Sequence, residues 1–485
     1  MTEKPLVVVI GCDTFPPDIN GAARFAERLA AGLARRGHEL HIVAPATSKR
    51  YGSFREVHDG VPMVVHRLKS LRIPQHATLR YVWPFTLRKR TDNLLNQIKP
   101  DVVHIQSQAI VGRYLTLSAR ERGIRVIATN HTMPENLIRY SVIIPRFAEK
   151  LAMRIWWKDT ARVLARAEVV TTPTRLAANI LEENTGLTGV LAISCGIDAR
   201  KFAHAPEVSN EKPRALFVGR LDYEKHVHIL IEAFAKVPRE LDATLEIVGD
   251  GNERDSLERW ALEQGVGDRV TFSGHVSEEE LRAAYANATV FVMPSVAELQ
   301  SIATMEAMAT GRPVLAANAA ALPHLVHNGE NGFLFEPENV DELARRLKQM
   351  FTAESRELKH YAHASLHLIQ SHDINTTLDI FEQIYRGQVA SLQTADNLSD
   401  YAEPVPEDAV LGEMVASIRK SAVALSSAAG DLRDGVLERL SGVRGEVVER
   451  FEEIGYEVLR RSKKAQKRIE RVIARTLDRF RRHDR

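Results

Sequence analysis

At 485 residues, 44% of them hydrophobic and 26% charged, the chain has the size and balance of a globular protein with two ordinary domains and an extra segment. A formal charge of +2 is too small to point to a nucleic-acid partner. Its two cysteines, Cys12 and Cys195, stand too far apart in sequence for a disulfide framework or a zinc site, which fits a reducing, cytoplasmic setting.

The start, Met1 to Ile10, reads as a first β-strand rather than a secretory signal. Leu6–Gly11 is an apolar run closed by a glycine and a Pro-rich turn. Gly21–Arg36 has helical periodicity through Phe25, Leu29 and Leu33, is stopped by Gly37 and His38, and leads into a strand at Glu39–Ala44: a βαβ unit. Short strands are predicted at Met63–Arg67, Val102–Gln106, Val126–Thr129, Val169–Thr172 and Gly189–Ile193. A second alternation starts at Arg214, with strands at Ala215–Gly219, Thr244–Gly249, Val270–Ser273, Val290–Pro294 and Val314–Ala317. Helices are predicted between them, at Val227–Val237 and Glu253–Glu263 among others. Two such runs, split near Pro206–Pro213, predict an α/β protein of two facing doubly wound parallel sheets. The expected division is 1–205, 206–372 and a closing helix 373–390 that packs back on the first domain. A polar linker, 391–408, and an amphipathic basic helical extension, 409–485, follow.

Loops after strand ends are where such sheets bind ligands. The run VFVMPSVAELQSIATMEAMATGRPVLA, from Val290, places Glu298 in a loop, a helix start near Gln300–Ser301–Ile302, and Glu306 about 12 Å further along if the spacing is helical. Free N–H groups and the positive end of the helix dipole suit a diphosphate. The two carboxylates are too far apart to serve one atom but can serve the two ends of a nucleotide sugar. A lone glutamate pair at this spacing is ordinarily solvated; here Met, Ala and apolar strand residues flank Glu306 and leave it little solvated face. In LFVGRLDYEK a strand ends at Gly219, and Arg220 and Lys225 bring two cations to its carboxyl end, though taken alone they read as partners of Asp222 or Glu224. Asn20–Gly21 opens a helix directly after the first strand's loop, and His131 follows the strand Val126–Thr129.

In order and at these spacings, the segments resemble the retaining glycosyltransferases of family 4, with the GT-B fold of two facing Rossmann-like domains. The resemblance covers about residues 6–388. It rests on the Gly-containing first loop, GHEL at 37–40, Gly219-Arg220…Lys225, VGDG at 248–251, SGHV at 273–276 and Glu-x7-Glu at 298–306. It implies a hexosyltransferase with a UDP- or GDP-sugar donor, retention of anomeric configuration, and no metal or other cofactor; the sequence has no Asp-x-Asp motif. By the same resemblance Arg220 and Lys225 stabilise the departing diphosphate, Glu298 holds donor-sugar hydroxyls, Glu306 the ribose, His131 the donor sugar near its reacting face, and Gly274 to Val276 the nucleobase. One departure concerns Glu298-Leu299-Gln300-Ser301, where the family often has an EGFG-like run. Leu299 and Gln300 are expected to reshape the donor-sugar pocket, and a glutamine there also occurs among enzymes that glycosylate diacylglycerol.

Basic residues mixed with aromatics occur twice in the first domain. Arg72, Arg80, Arg88, Lys89 and Arg90 lie near Tyr81, Trp83 and Phe85; Arg139, Arg146, Lys150, Arg154, Lys158 and Arg162 lie around Ile155, Trp156 and Trp157. Such mixtures suit an anionic membrane surface, and equally suit ordinary helices with solvated cationic faces. With no run of about 18 apolar residues, membrane contact is expected to be peripheral, on the inner face of the cell membrane. The extension carries Arg460, Arg461, Lys463, Lys464, Lys467, Arg468, Arg471 and Arg475, and serves either a membrane or self-association. Gly435, Gly442, Gly445 and Gly455 favour the membrane, since each weakens a helix by roughly 1 kcal/mol. The expected acceptor is therefore lipid-linked or membrane-proximal, with a soluble sugar as the alternative and a GT-B scaffold without turnover as the third reading.

Overall fold

The computed structural model describes residues 4–18, 20–72, 80–82, 86–134, 149–202, 207–209 and 211–388. Apart from Arg72 they fall in one compact unit, residues 1–71 and 77–401. Trp83, Phe85, Arg139, Arg146, the linker 391–408 and the extension 409–485 lie outside the described residues.

The first half runs β1 (Val7–Gly11), α1 (Gly21–Arg35), β2 (Glu39–Pro45), β3 (Gly52–His58), β4 (Val61–Leu68), β5 (Ser70–Arg72), β6 (Arg80–Val82), α2 (Leu87–Ile98), β7 (Val102–Ile105), α3 (Ile110–Arg120), β8 (Arg125–Thr129), α4 (Glu149–Leu164), β9 (Val169–Thr172), α5 (Arg175–Thr185) and β10 (Leu191–Ala192). The second runs β11 (Arg214–Val218), α6 (Val227–Ala235), β12 (Thr244–Val248), α7 (Arg254–Glu263), β13 (Val270–Gly274), α8 (Glu278–Asn287), β14 (Val290–Met293), α9 (Ile302–Ala309), β15 (Val314–Ala317), β16 (Gly332–Phe335), α10 (Val340–Thr352), α11 (Ser355–Leu368) and α12 (Ile374–Arg386).

Two large sheets result, ordered β10-β9-β8-β7-β1-β2-β4-β3 and β13-β12-β11-β14-β15-β16. Every pairing in them is parallel except β3 with β4. The central strands are buried on both faces; Val8, Val9, Ile10, Phe217, Phe291 and Val292 have no exposed surface. That is why they read as unbroken apolar runs rather than as alternating ones. The polar hairpin strand β3 and the four-residue β16 were not expected from the pattern. β3 lies on the sheet edge with most of its residues exposed, so burial imposes no alternation on it. The strand expected from Gly189 shortens to Leu191–Ala192, since Gly189 takes a left-handed φ of 71°.

After α11 the chain returns to the first half. Ile197 bridges Asp373 as a parallel pair, with Ile197 N donating to His372 O at 2.8 Å and Ile374 N to Ile197 O at 3.1 Å. α12 then lies against α1: a Cβ on Gly32 would come within 2.6 Å of Leu378 Cδ1, so a larger residue there would require the leucine side chain to shift. His38 Nε2 meets Glu382 Oε1 at 2.6 Å, Arg36 bonds Asp379 and Glu382, and Tyr385 Oη meets His104 Nδ1 at 2.7 Å. Among the described residues, no helix is long and apolar enough to cross a membrane.

Candidate active site

Among the parallel strands the order reverses between β1 and β7 in the first half and between β11 and β14 in the second. The crevice beyond the carboxyl ends of strands at such a switch point is where open α/β sheets bind ligands. The loops that leave β11 and β14 therefore frame a site, and they carry Gly219, Arg220, Lys225 and the segment up to Ile302.

Backbone bonds fix these loops. Gly219 N donates to Val248 O at 3.0 Å and Leu221 N to Asp250 O at 3.0 Å. Gly249 has a φ of 132°, and a Cβ there would lie 1.9 Å from Gly219 O, so the two loops can approach this closely only through glycine. Val296 N donates to Glu224 O at 3.2 Å and Ser295 Oγ to the same oxygen at 3.3 Å, drawing the β11 and β14 loops together. The consequence is an ion pair that joins two of the sequence candidates, Lys225 Nζ to Glu298 Oε1 at 2.5 Å. Its side chains are only 14% and 12% exposed. Arg220 is engaged with Asp222 and with Glu224, the latter at 3.0 Å.

Ser301 caps α9 by accepting from Thr304 N, so the helix begins at Ile302, within a residue or two of where the sequence placed it. Within IATMEAMA every residue from Thr304 to Ala309 is buried, and Glu306 is therefore a carboxylate in an apolar setting that must be paired. Arg28 Nη2 of α1 donates to Glu306 Oε1 at 2.5 Å, and Tyr285 Oη of α8 donates to Oε2 at 3.0 Å. Burial, and then the Glu306 charge, push the Tyr285 phenol well above its usual range, so it stays a donor. Arg28 and Tyr285 carried no sequence signal: one is an arginine within an amphipathic helix, the other a tyrosine within a helix interior.

The first half meets this segment directly. Asn20 accepts from Ala23 N at 2.9 Å and caps α1, and a Cβ on Gly21 would stand 3.8 Å from Ile302 Cδ1. Thr174 Oγ1 donates to Leu299 O at 3.0 Å. Gln300 engages the chain crossing between the halves: its Oε1 accepts from Cys195 N at 2.7 Å and its Nε2 donates to Ser194 Oγ at 3.1 Å. The amide that sequence reasoning set in the sugar pocket is thus committed to a contact that holds the halves together. Gly274, with a φ of 66°, accepts from Gly249 N at 2.9 Å through its carbonyl, and Val276 packs against the core just beyond it. Both lie at the end of β13, two strands from the switch point.

His131 sits past β8, its Nε2 2.9 Å from Gln106 Oε1 and its ring centroid 5.0 Å from that of Phe25. A carboxamide oxygen only accepts, so Nε2 carries the proton and Nδ1 keeps its lone pair. Burial lowers the ring's pKa to about 4. His104, joined to Thr129 at 2.7 Å as well as to Tyr385, is lowered to about 3 by burial first and by His131 second. These folded values lie below the ordinary 6.5, so the unfolded chain takes up protons first. The histidines' contribution to stability is complete above about pH 6.5 and is lost as pH falls toward the folded values, each tenfold rise in proton concentration costing about 1.4 kcal/mol per histidine. The expected result is a Tm that declines from pH 6.5 to 4 and declines less steeply in His104→Gln. Parallel Tm profiles for the two proteins would contradict the assignment.

Two sheets that each carry a switch point, with a paired lysine beside a capped helix start in the second half, match the architecture the sequence resemblance implies for a glycosyltransferase of the GT-B fold. The comparisons agree. The family described as Glycosyltransferase Family 4 matches residues 19–201, and Glycosyl transferases group 1 matches residues 198–365. A GDP-mannose-dependent alpha-mannosyltransferase of Mycolicibacterium smegmatis is 31% identical over 348 residues, 69% of this chain and 85% of its own. An alpha-monoglucosyldiacylglycerol synthase of Streptococcus pneumoniae is 25% identical over 67% of this chain and 74% of its own. Among solved structures, the sucrose-phosphate synthase of Thermosynechococcus elongatus superposes with a TM-score of 0.66 at 20% identity, over 79% of this chain and 99% of that one. The chain belongs to the family 4 glycosyltransferases and is a hexosyltransferase that uses a nucleotide sugar.

Proposed function

We propose that the protein transfers a hexose, with retention and without a metal, from a nucleoside-diphosphate sugar to a lipid-linked acceptor at a membrane surface. The observation that carries the donor half is the Lys225–Glu298 pair at 2.5 Å beside the start of α9. Lys225, Arg220 and the helix N–H groups meet the diphosphate, supplying fixed positive charge where negative charge develops in the leaving group. Glu298 takes donor-sugar hydroxyls, and once it does, Lys225 is freed for the phosphate. Glu306 takes the ribose hydroxyls. His131 Nδ1 accepts from a sugar hydroxyl, and the β13 end, Gly274 to Val276, offers backbone groups to the base. GDP-mannose is the first donor to test because the mannosyltransferase relative is GDP-mannose-dependent.

Support for the acceptor half comes from the diacylglycerol-glycosylating relative and from α4. There Lys150, Leu151, Arg154 and Lys158 are exposed along one face, a cationic stripe with an apolar member of the kind anionic lipid attracts. The test offers labelled GDP-mannose or UDP-glucose together with anionic vesicles containing diacylglycerol and a mixture of soluble sugars. Label extracted into the organic phase, in the α-configuration, is the expected result. Label confined to water-soluble products would replace the lipid reading with transfer to a soluble sugar.

A further inference from the structure

His131 is the part-exposed end of an otherwise buried polar network. Gln106 is the first residue after β7, at the switch point between β1 and β7, and its backbone N donates to Gly11 O at 2.8 Å. Its side chain is buried. Oε1 accepts from His131 Nε2 at 2.9 Å, while Nε2 lies 3.4 Å and 3.3 Å from the two ring nitrogens of His104. Near-equal distances to both nitrogens place the amide over the ring rather than in its plane. Within that plane His104 is already saturated: Nδ1 meets Tyr385 Oη and Nε2 meets Thr129 Oγ1, each at 2.7 Å, and Thr129 is joined in turn to Thr171 at 2.7 Å. The surface left for Gln106 is the electron-rich face of a neutral ring, which takes an N–H rather than a carbonyl oxygen. The amide is thereby held one way round, with its oxygen toward His131. The far wall of the network belongs to α12. Tyr385 supplies the hydroxyl, and the Phe381 ring centroid stands 5.1 Å from that of His104 and 5.9 Å from that of Phe25, the ring that packs on His131.

We propose that Gln106 is a positioning residue for His131, fixing its Nε2–H tautomer and so keeping Nδ1 an acceptor, and that Tyr385 of α12 acts through His104 to hold the Gln106 amide that way round. The use of Nδ1 in catalysis rests on the proposed contact with a donor-sugar hydroxyl; the tautomer itself does not. The test reads the ring nitrogens by NMR in the full chain made with isotope-labelled histidine, the His131 signals being assigned by their loss in His131→Ala. Donor KM and kcat are measured on the same preparations. Wild type is expected to show the Nε2–H form of His131 alone. Gln106→Met, of similar length but with no carbonyl to accept, brings in the Nδ1–H form and lowers kcat/KM by about 3–10-fold, the value of one neutral hydrogen bond. Gln106→Glu keeps an acceptor for Nε2–H and retains the tautomer at neutral pH. Its negative charge favours the imidazolium, so the acid limb of its kcat/KM profile moves to higher pH. Damage to packing alone would move neither the tautomer nor that limb. Should Gln106→Met not fold, Tyr385→Phe, which removes a single hydroxyl, is read in the same way. An Nδ1–H form in wild type, or an unchanged tautomer in folded Gln106→Met, overturns the positioning role, and an unchanged tautomer in Tyr385→Phe removes α12 from it. Unchanged transfer in His131→Ala would instead remove the sugar contact, with the ring signals still deciding the tautomer.

Discussion

Lys225→Ala is expected to lower hexose transfer by about 10²–10³-fold, the usual consequence of removing one preorganised charge from a developing anion. The loss should fall mainly on kcat, because the diphosphate gains charge only as the glycosidic bond breaks. A second effect has to be separated from it. Lys225 and Glu298 are both largely buried, so deleting the lysine strands a carboxylate, and breaking such a pair costs about 3–5 kcal/mol of stability. The double variant Lys225→Met/Glu298→Gln removes both charges and should recover much of that stability while staying inactive. Circular dichroism melts and initial rates on the same preparations give the two readouts. Transfer within tenfold of wild type in a folded Lys225→Ala protein would remove this lysine from the chemistry.

The parts of this molecule that could be read from its sequence are those where a local rule and the global fold demand the same residue. β1, β11 and β14 are buried on both faces, and their apolar runs announced them. The start of α9 was visible because Ser301, a good cap, precedes a helix-forming run. The burial of Glu306 followed from its Met and Ala neighbours. What stayed hidden depends on contacts between residues distant in the chain. Arg28 and Glu306 are 278 positions apart, and Gln300 and Cys195 are 105 apart. Neither pairing leaves a trace in spacing or periodicity. Gln300 shows the limit well: the family resemblance placed it with Leu299 as a residue that reshapes the donor-sugar pocket, and nothing local announced that both ends of its amide also join the halves. The edge strand β3 was hidden for the opposite reason, since solvent on its faces leaves no hydrophobic pattern to read.

The longest of those contacts makes the second large prediction. Arg28→Met should destabilise the protein by about 3–5 kcal/mol, because Glu306 would keep only Tyr285 as a partner for a buried charge. Adding Glu306→Gln should restore a good part of it, a neutral carboxamide still accepting from the Tyr285 hydroxyl. The effects on the enzyme differ between the two positions. An ionised carboxylate has about four acceptor sites, of which Arg28 and Tyr285 use two. On the proposed reading the remaining ones take two ribose hydroxyls without displacing either protein partner, and Arg28 holds the group in place. Glu306→Gln is then expected to raise the donor KM by about 10–100-fold, the value of charge-assisted hydrogen bonds, with a smaller change in kcat. Arg28→Met raises KM in the same sense by letting the carboxylate move. If Arg28 instead competed with the donor for Glu306, Arg28→Met would lower KM, and the sign of that one change decides between a positioning residue and a blocking one.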